Sequence, residues 1–191
     1  IERKREVVEK LRSGIDTLMQ MPGITFVRGF AHFTDAKTIA VGDETYTADN
    51  IIIATGSSSK CPPIEGLTLP GVVDSTQLLD IDHIPENLCI IGAGVIGMEF
   101  ASIFNSFGSK VTVIEFMKEC LPVLDSDIAK RLRQTIGKRG VEFTMQSAVK
   151  SITTSTTEDG KQQLVVNYEK KGKPQQVNAD TVLIATGRKP N

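Results

Sequence analysis

Gly92, Gly94, Gly97 and, downstream, Glu115 are the residues whose types and spacing point to chemistry in this sequence. They lie in LCIIGAGVIGMEFASIFNSFGSKVTVIE, residues 88–115. The chemistry is the holding of a dinucleotide. Gly92 permits a tight turn, Gly94 lets a pyrophosphate touch the backbone, and Gly97 lets the following helix pack closely on a sheet. The start of that helix presents free N–H groups and a positive dipole to the phosphates. Glu115 stands near the spacing of roughly 20 residues at which an acid meets the ribose. A carboxylate there accepts from a 2′-hydroxyl and repels a 2′-phosphate, so the site reads as NAD(H) rather than NADP(H), with Lys118 the one nearby cation that tempers the preference.

These residues need a strand, a helix and a second strand to position them. The apolar run Leu88–Ile91 predicts the first strand, the stretch to Phe107 the helix, and Val111–Ile114 the strand that ends at Glu115. Upstream, Val7, Val8, Leu11, Ile15, Leu18 and Met19 recur at helical spacing over residues 1–20, and Pro22-Gly23 stops that helix. Strand-like runs follow at 24–28, 30–33, 37–41 and 44–48, with Gly42-Asp43 as a turn. Ile51–Ala54 reads as a strand buried on both faces. Ser75 reads as the cap of a short helix, and Asp125 or Ser126 as the cap of a helix through Lys138. Residues 141–145 predict another strand, 147–178 a three-stranded antiparallel meander turning at Gly160 and Gly172, and 181–185 a final buried strand. The fold class is α/β, with a parallel sheet.

An internal echo suggests two nucleotide-binding sheets. Ala48-Asp49-Asn50-Ile51-Ile52-Ile53-Ala54-Thr55-Gly56 resembles Ala179-Asp180-Thr181-Val182-Leu183-Ile184-Ala185-Thr186-Gly187, each a buried run ending in Ala-Thr-Gly.

The bulk composition narrows the partners. Apolar residues make up 40% and charged residues 24%, ordinary values for a soluble globular protein. The net charge of −1, without a long basic run, indicates neither nucleic acid nor an anionic membrane as partner. No apolar stretch has the length of about 18 residues that a membrane helix needs. Cys61, Cys89 and Cys120 are scattered and odd in number, with neither metal-ligand nor redox-pair spacing. They suit a reducing, cytoplasmic setting. The chain opens at Ile1 in the middle of a helical pattern, which reads as a piece of a longer protein.

The ordered set IATG, GAGVIGMEF, TVIE and IATGRKPN resembles the FAD-dependent pyridine nucleotide-disulfide oxidoreductases, within them the dihydrolipoamide dehydrogenase branch, over nearly the whole chain. The resemblance implies a partial FAD-binding domain at 1–66 and a Rossmann-like NAD-binding domain at 67–191. It implies that Gly92, Ala93, Gly94, Val95, Ile96 and Gly97 cradle the NAD pyrophosphate, that Glu99 lies towards the nicotinamide, and that Gly187 approaches the nicotinamide half. Val149 would pack on the adenine side, although ordinary strand packing also explains a valine there. For FAD it implies Ala31 against the adenine, Thr55, Gly56 and Ser57 near the flavin nucleotide, and Arg188 near its phosphates, although a surface arginine needs no ligand. His32 and His83 match no base of the family.

The same resemblance implies oxidation of a dihydrolipoyl group, small or carried on a lipoyl domain, by an enzyme disulfide and FAD, with NAD+ as final acceptor, in a homodimer. This sequence lacks the family's first GxGxxG, its cysteine pair and its histidine–glutamate pair, so no catalytic residue is assigned. Three alternatives stay open. One is a glutathione- or mercuric-type reductase, another an NADH oxidase or ferredoxin reductase of the same architecture. The third is an NAD-binding module without turnover, the expectation for this polypeptide alone.

Overall fold

Leu88 and Ile90 face one side of a strand, Cys89 and Ile91 the other, and all four are buried. That arrangement explains why the run has no polar alternation: the strand lies inside a parallel sheet covered on both faces. The computed structural model describes residues 2–191 and divides them into two compact units, up to Thr55 and from Gly56 onward.

In the first unit, helix α1 spans Glu2–Met19. Strands β1 (Ala31–Asp35), β2 (Thr38–Val41) and β3 (Glu44–Thr47) form an antiparallel meander in that order. Asp35 turns the first hairpin by accepting from the Lys37 N–H at 2.8 Å, and Gly42 turns the second with φ +61°. Two expectations fail here. Residues 24–28 form no strand, and neither does Ile51–Ala54, where Ile52 is 89% exposed. A run apolar on both faces needs a strand on each side, and among the described residues the strands of this unit are all committed to the meander. The echo of the two Ala-Thr-Gly segments is therefore one of sequence: only the second segment is a strand.

In the second unit, β5 (Val72–Asp74), β6 (Asn87–Ile91), β7 (Lys110–Ile114), β8 (Glu142–Thr144) and β12 (Thr181–Ile184) pair in parallel in the order β5-β12-β6-β7-β8. Helices α3 (Val95–Ser106) and α4 (Ser126–Gly137) cover one face. Met98, Ala101, Phe104, Ala129 and Ile136 pack there on Leu88, Ile90, Val111, Val113 and Leu183. The opposite face carries the expected meander, β9 (Ser147–Thr156), β10 (Gln162–Lys170) and β11 (Lys173–Ala179). Its Ile152, Leu164 and Val166 close over Cys89, Ile91, Val182 and Ile184.

The short helix α2 (Ser75–Leu78) is capped by Asp74 rather than Ser75. The Asp74 carboxylate accepts from the Gln77 N–H at 2.8 Å while the Gln77 side chain accepts from the Asp74 N–H at 2.9 Å. A ribbon of β4 (Ser57–Ser59) and β13 (Arg188–Pro190) completes the unit.

Candidate functional site

The chain leaves β6 through Gly92, whose φ of +107° lies in the region that favours glycine. A Cβ on Gly92 would sit 2.5 Å from the Ala185 carbonyl oxygen, and one on Gly97 only 2.0 Å from the Gly92 oxygen. Both glycines are demanded by the protein's own packing. Gly94 differs. Its φ of −73° and ψ of −174° suit any residue, and a Cβ there would meet no protein atom within 4 Å. Nothing in the fold requires glycine at 94, whereas a phosphate lying against the backbone does. The residues therefore fit a dinucleotide pyrophosphate.

Helix α3 starts at Val95 with no side-chain cap and no acid in its first turn, so the N–H groups of that turn face the opening unscreened by negative charge. Glu115 follows β7. Its carboxylate accepts from the Ala93 N–H and from the Met117 N–H, each at 2.6 Å. A carboxylate has about four lone-pair sites, so both oxygens keep capacity for a ribose hydroxyl.

The carboxyl ends of β6, β7 and β12 open into a cleft of about 1070 Å³. Gly92, Gly94, Val95 and Ile96 line it from the turn and the start of α3, and Glu115, Phe116 and Met117 from the segment after β7. Val149, Gly187 and Arg188 line it as well. Ala93, Gly97 and Glu99 do not line it. Ala93 is fully buried, its N–H taken by Glu115 and its carbonyl by the Leu121 N–H at 2.9 Å. Glu99 sits exposed on α3.

Of the residues expected near a flavin, Ser57 and Arg188 meet across the ribbon. Arg188 Nε donates to Ser57 Oγ at 2.8 Å, and Nη2 donates to the Ser57 carbonyl. Gly56 lies beside them with φ +76°. Ala31 and Thr55 belong to the first unit.

Part of the lining carries no motif in the sequence. Phe116, Met117 and Thr186 follow parallel strands at their carboxyl ends, a position that by itself marks a ligand crevice. Lys60, Pro62, Pro63 and Ile64 arrive by long-range packing. Lys60 donates its N–H to the Gly187 carbonyl at 2.9 Å and accepts from Thr186 Oγ1 at 3.1 Å. No local pattern announces that.

In the loop that follows Glu115, Glu119 is gripped by Arg133 of α4 with two bonds, Nε to Oε1 at 2.6 Å and Nη2 to Oε2 at 2.9 Å. The guanidinium holds the Glu119 carboxyl down at about 2. Burial pushes the Cys89 thiol up to about 12 and, with the help of Glu119, the Cys120 thiol up to about 11. Neither is a thiolate near neutral pH, so neither is a ready nucleophile.

The parallel sheet, its antiparallel cover and the glycine turn define a mixed α/β protein with the fold of the flavoprotein disulfide reductases. The chain belongs to the pyridine nucleotide-disulphide oxidoreductase family, whose sequence profile matches residues 1–191. It is 37% identical to a dihydrolipoyl dehydrogenase of Acholeplasma laidlawii, covering 100% of this chain and 55% of that protein. It is 36% identical to a leghemoglobin reductase of Glycine max, covering 98% of this chain and 36% of that one. The HOCl-induced flavoprotein disulfide reductase RclA from Escherichia coli superposes with a TM-score of 0.81 at 38% identity, over 100% of this chain and 42% of its own. The chain thus spans about half, or less, of the length of these relatives.

Proposed function

We propose that this chain supplies the NAD(H)-binding platform, residues 67–191, and part of the flavin-binding domain, residues 1–66, of a dihydrolipoamide dehydrogenase-like oxidoreductase. The observation that carries the reading is Gly94: a glycine that the fold does not need, at the mouth of an uncapped helix, beside a carboxylate fixed by two backbone N–H groups. The Gly94 backbone and the first turn of α3 receive the pyrophosphate. Glu115 accepts from the adenosine ribose and disfavours a 2′-phosphate. Val149 and Met117 flank the adenine, and Gly187 admits the nicotinamide half. Flavin supplies the hydride chemistry when bound, between a dithiol and NAD+. The residues of this chain bind and orient the dinucleotide and furnish Ser57 and Arg188 beside the flavin. Dihydrolipoyl substrate, homodimeric assembly and a cytoplasmic setting complete the proposal.

A second reading, a reductase that spends NADH on another disulfide, has the Escherichia coli relative in its favour. Both readings require the same dinucleotide platform. The test is calorimetric titration of the chain with NADH and NADPH. Saturable NADH binding with weaker NADPH is expected, and no binding at millimolar NADH refutes the proposal. With FAD the chain should stay colourless after desalting.

A further inference from the structure

Ala93 lies between the turn glycines, and both of its backbone polar groups are held by the loop that follows β7. Its N–H goes to Glu115 and its carbonyl receives the Leu121 N–H. The second bond has a geometric consequence. Across a trans peptide the C=O and the next N–H point to opposite sides. With the Ala93 carbonyl turned to Leu121, the Gly94 N–H must point the other way, and Gly94 lines the cleft. Leu121 thereby aims a donor at the ligand without touching it.

Leu121 does not rest easily in that place. Its φ is +49°, in the left-handed region that a branched side chain avoids, and such a conformation persists only where the surroundings impose it. The surroundings that impose it come from α4. Ala129 and Arg133, one turn apart on the same face, both hold the loop. Arg133 clamps Glu119 with two bonds, and the Ala129 carbonyl accepts from Cys120 Sγ at 3.4 Å. Leu121 itself is buried in the core that α4 shares.

We infer that the Arg133–Glu119 pair is a positioning device for the dinucleotide: by holding Leu121 against Ala93 it orients the Gly94 N–H towards the pyrophosphate. Arg133 and Glu119 are positioning residues, and neither lines the cleft. The inference rests on the dinucleotide reading of the Gly94 cleft.

The test uses the whole chain with Arg133→Met, Glu119→Gln, the double variant and Arg133→Lys, below their melting transitions. NADH, ADP and adenosine are titrated by calorimetry or amide chemical shifts. Losing a charge-assisted bidentate pair should raise the Kd for NADH and ADP by about tenfold in either single variant. The double variant should be no worse than the singles, and Arg133→Lys should recover part of the loss. Adenosine, which has no phosphate, should change less than twofold. Kd values for NADH and ADP within twofold of the parent chain, or an equal loss for all three ligands, overturn the inference. Should Arg133→Met fail to fold, Glu119→Gln carries the test alone. Should the parent chain fail to bind NADH, the dinucleotide reading falls separately, and the latch is read from hydrogen exchange. Faster exchange of the Leu121 amide in Glu119→Gln is expected, and unchanged exchange overturns it.

Discussion

Replacing Gly94 with alanine separates binding from folding, and the structure sets both magnitudes. At a backbone conformation that alanine accepts, removing glycine stabilises by about 0.4–1 kcal/mol through the unfolded chain. Gly94 is also the N-cap of α3, where alanine is worse than glycine by a comparable amount, up to about 1 kcal/mol. The two effects offset, and the new Cβ meets no protein atom within 4 Å. Stability should stay within about 0.5 kcal/mol, a melting shift of a few degrees at most. The methyl group would instead occupy the space of the pyrophosphate and break its bonds to the backbone, a loss of about 1.5–3 kcal/mol, or roughly 10- to 150-fold in Kd for NADH.

Gly97→Ala is the counterpart. Its Cβ would lie 2.0 Å from the Gly92 carbonyl oxygen, so α3 must shift off the turn, costing about 1–3 kcal/mol or more. Differential scanning fluorimetry and calorimetry on the two variants decide the matter. Gly94→Ala binding NADH within threefold of the parent, or melting as low as Gly97→Ala, would be the opposite outcome.

Glu115→Ala should weaken NADH more than NADPH. It should also lower stability by about 1–3 kcal/mol, because the buried Ala93 N–H loses its acceptor; equal losses for the two cofactors would show that Glu115 does not read the ribose. Native thiol titration should label Cys61 quickly and leave Cys89 and Cys120 unreacted until denaturant is added, since the latter two are buried with thiols raised to about 12 and about 11. Glu119 titrates at about 2 in the folded chain against an ordinary 4.5, so its stabilisation is present above 4.5 and is lost as pH falls towards 2. The carboxylate keeps some contact with water, which reduces the pair to about 1–2 kcal/mol. Urea midpoints of the parent and Arg133→Met should therefore differ at pH 6 and converge near pH 2, and a constant gap would be the contrary result.

The glycine turn was legible because it is local. Gly92, Gly94, Gly97 and Glu115 belong to one strand–helix–strand unit, within which Gly97 packs on the Gly92 carbonyl and Glu115 accepts from the Ala93 N–H. The meander was legible because Gly160 and Gly172 mark its turns between alternating strands. What escaped depends on distant partners. Ile51–Ala54 has the composition of a buried strand, but a strand is made by its neighbours, and composition is silent about them. The β4–β13 ribbon joins serines to an arginine-lysine-proline run, neither of which reads as strand. Asp74 displaced Ser75 as helix cap because β5, itself unforeseen, ends there and delivers Asp74 in the extended conformation a cap needs. Ala93 was placed in the phosphate cradle only by the family resemblance. Its enclosure by Glu115 and Leu121 depends on a loop whose path no periodicity predicts.

The strand order also sets a timetable for folding. Strand β12 lies between β5 and β6, yet it is the last strand of the sheet to leave the ribosome. At about 5–20 residues per second, β6 waits roughly 5–20 s for its neighbour. Meanwhile β6, α3 and β7 can assemble locally, leaving one row of N–H and C=O groups without partners along Asn87–Ile91. The nascent sheet therefore carries a vacancy one strand wide, shaped for Thr181–Ile184. Until that segment arrives, the same vacancy will accept the equivalent segment of another molecule, so that slow synthesis or truncation before Thr181 favours intermolecular strand exchange over a closed monomer fold.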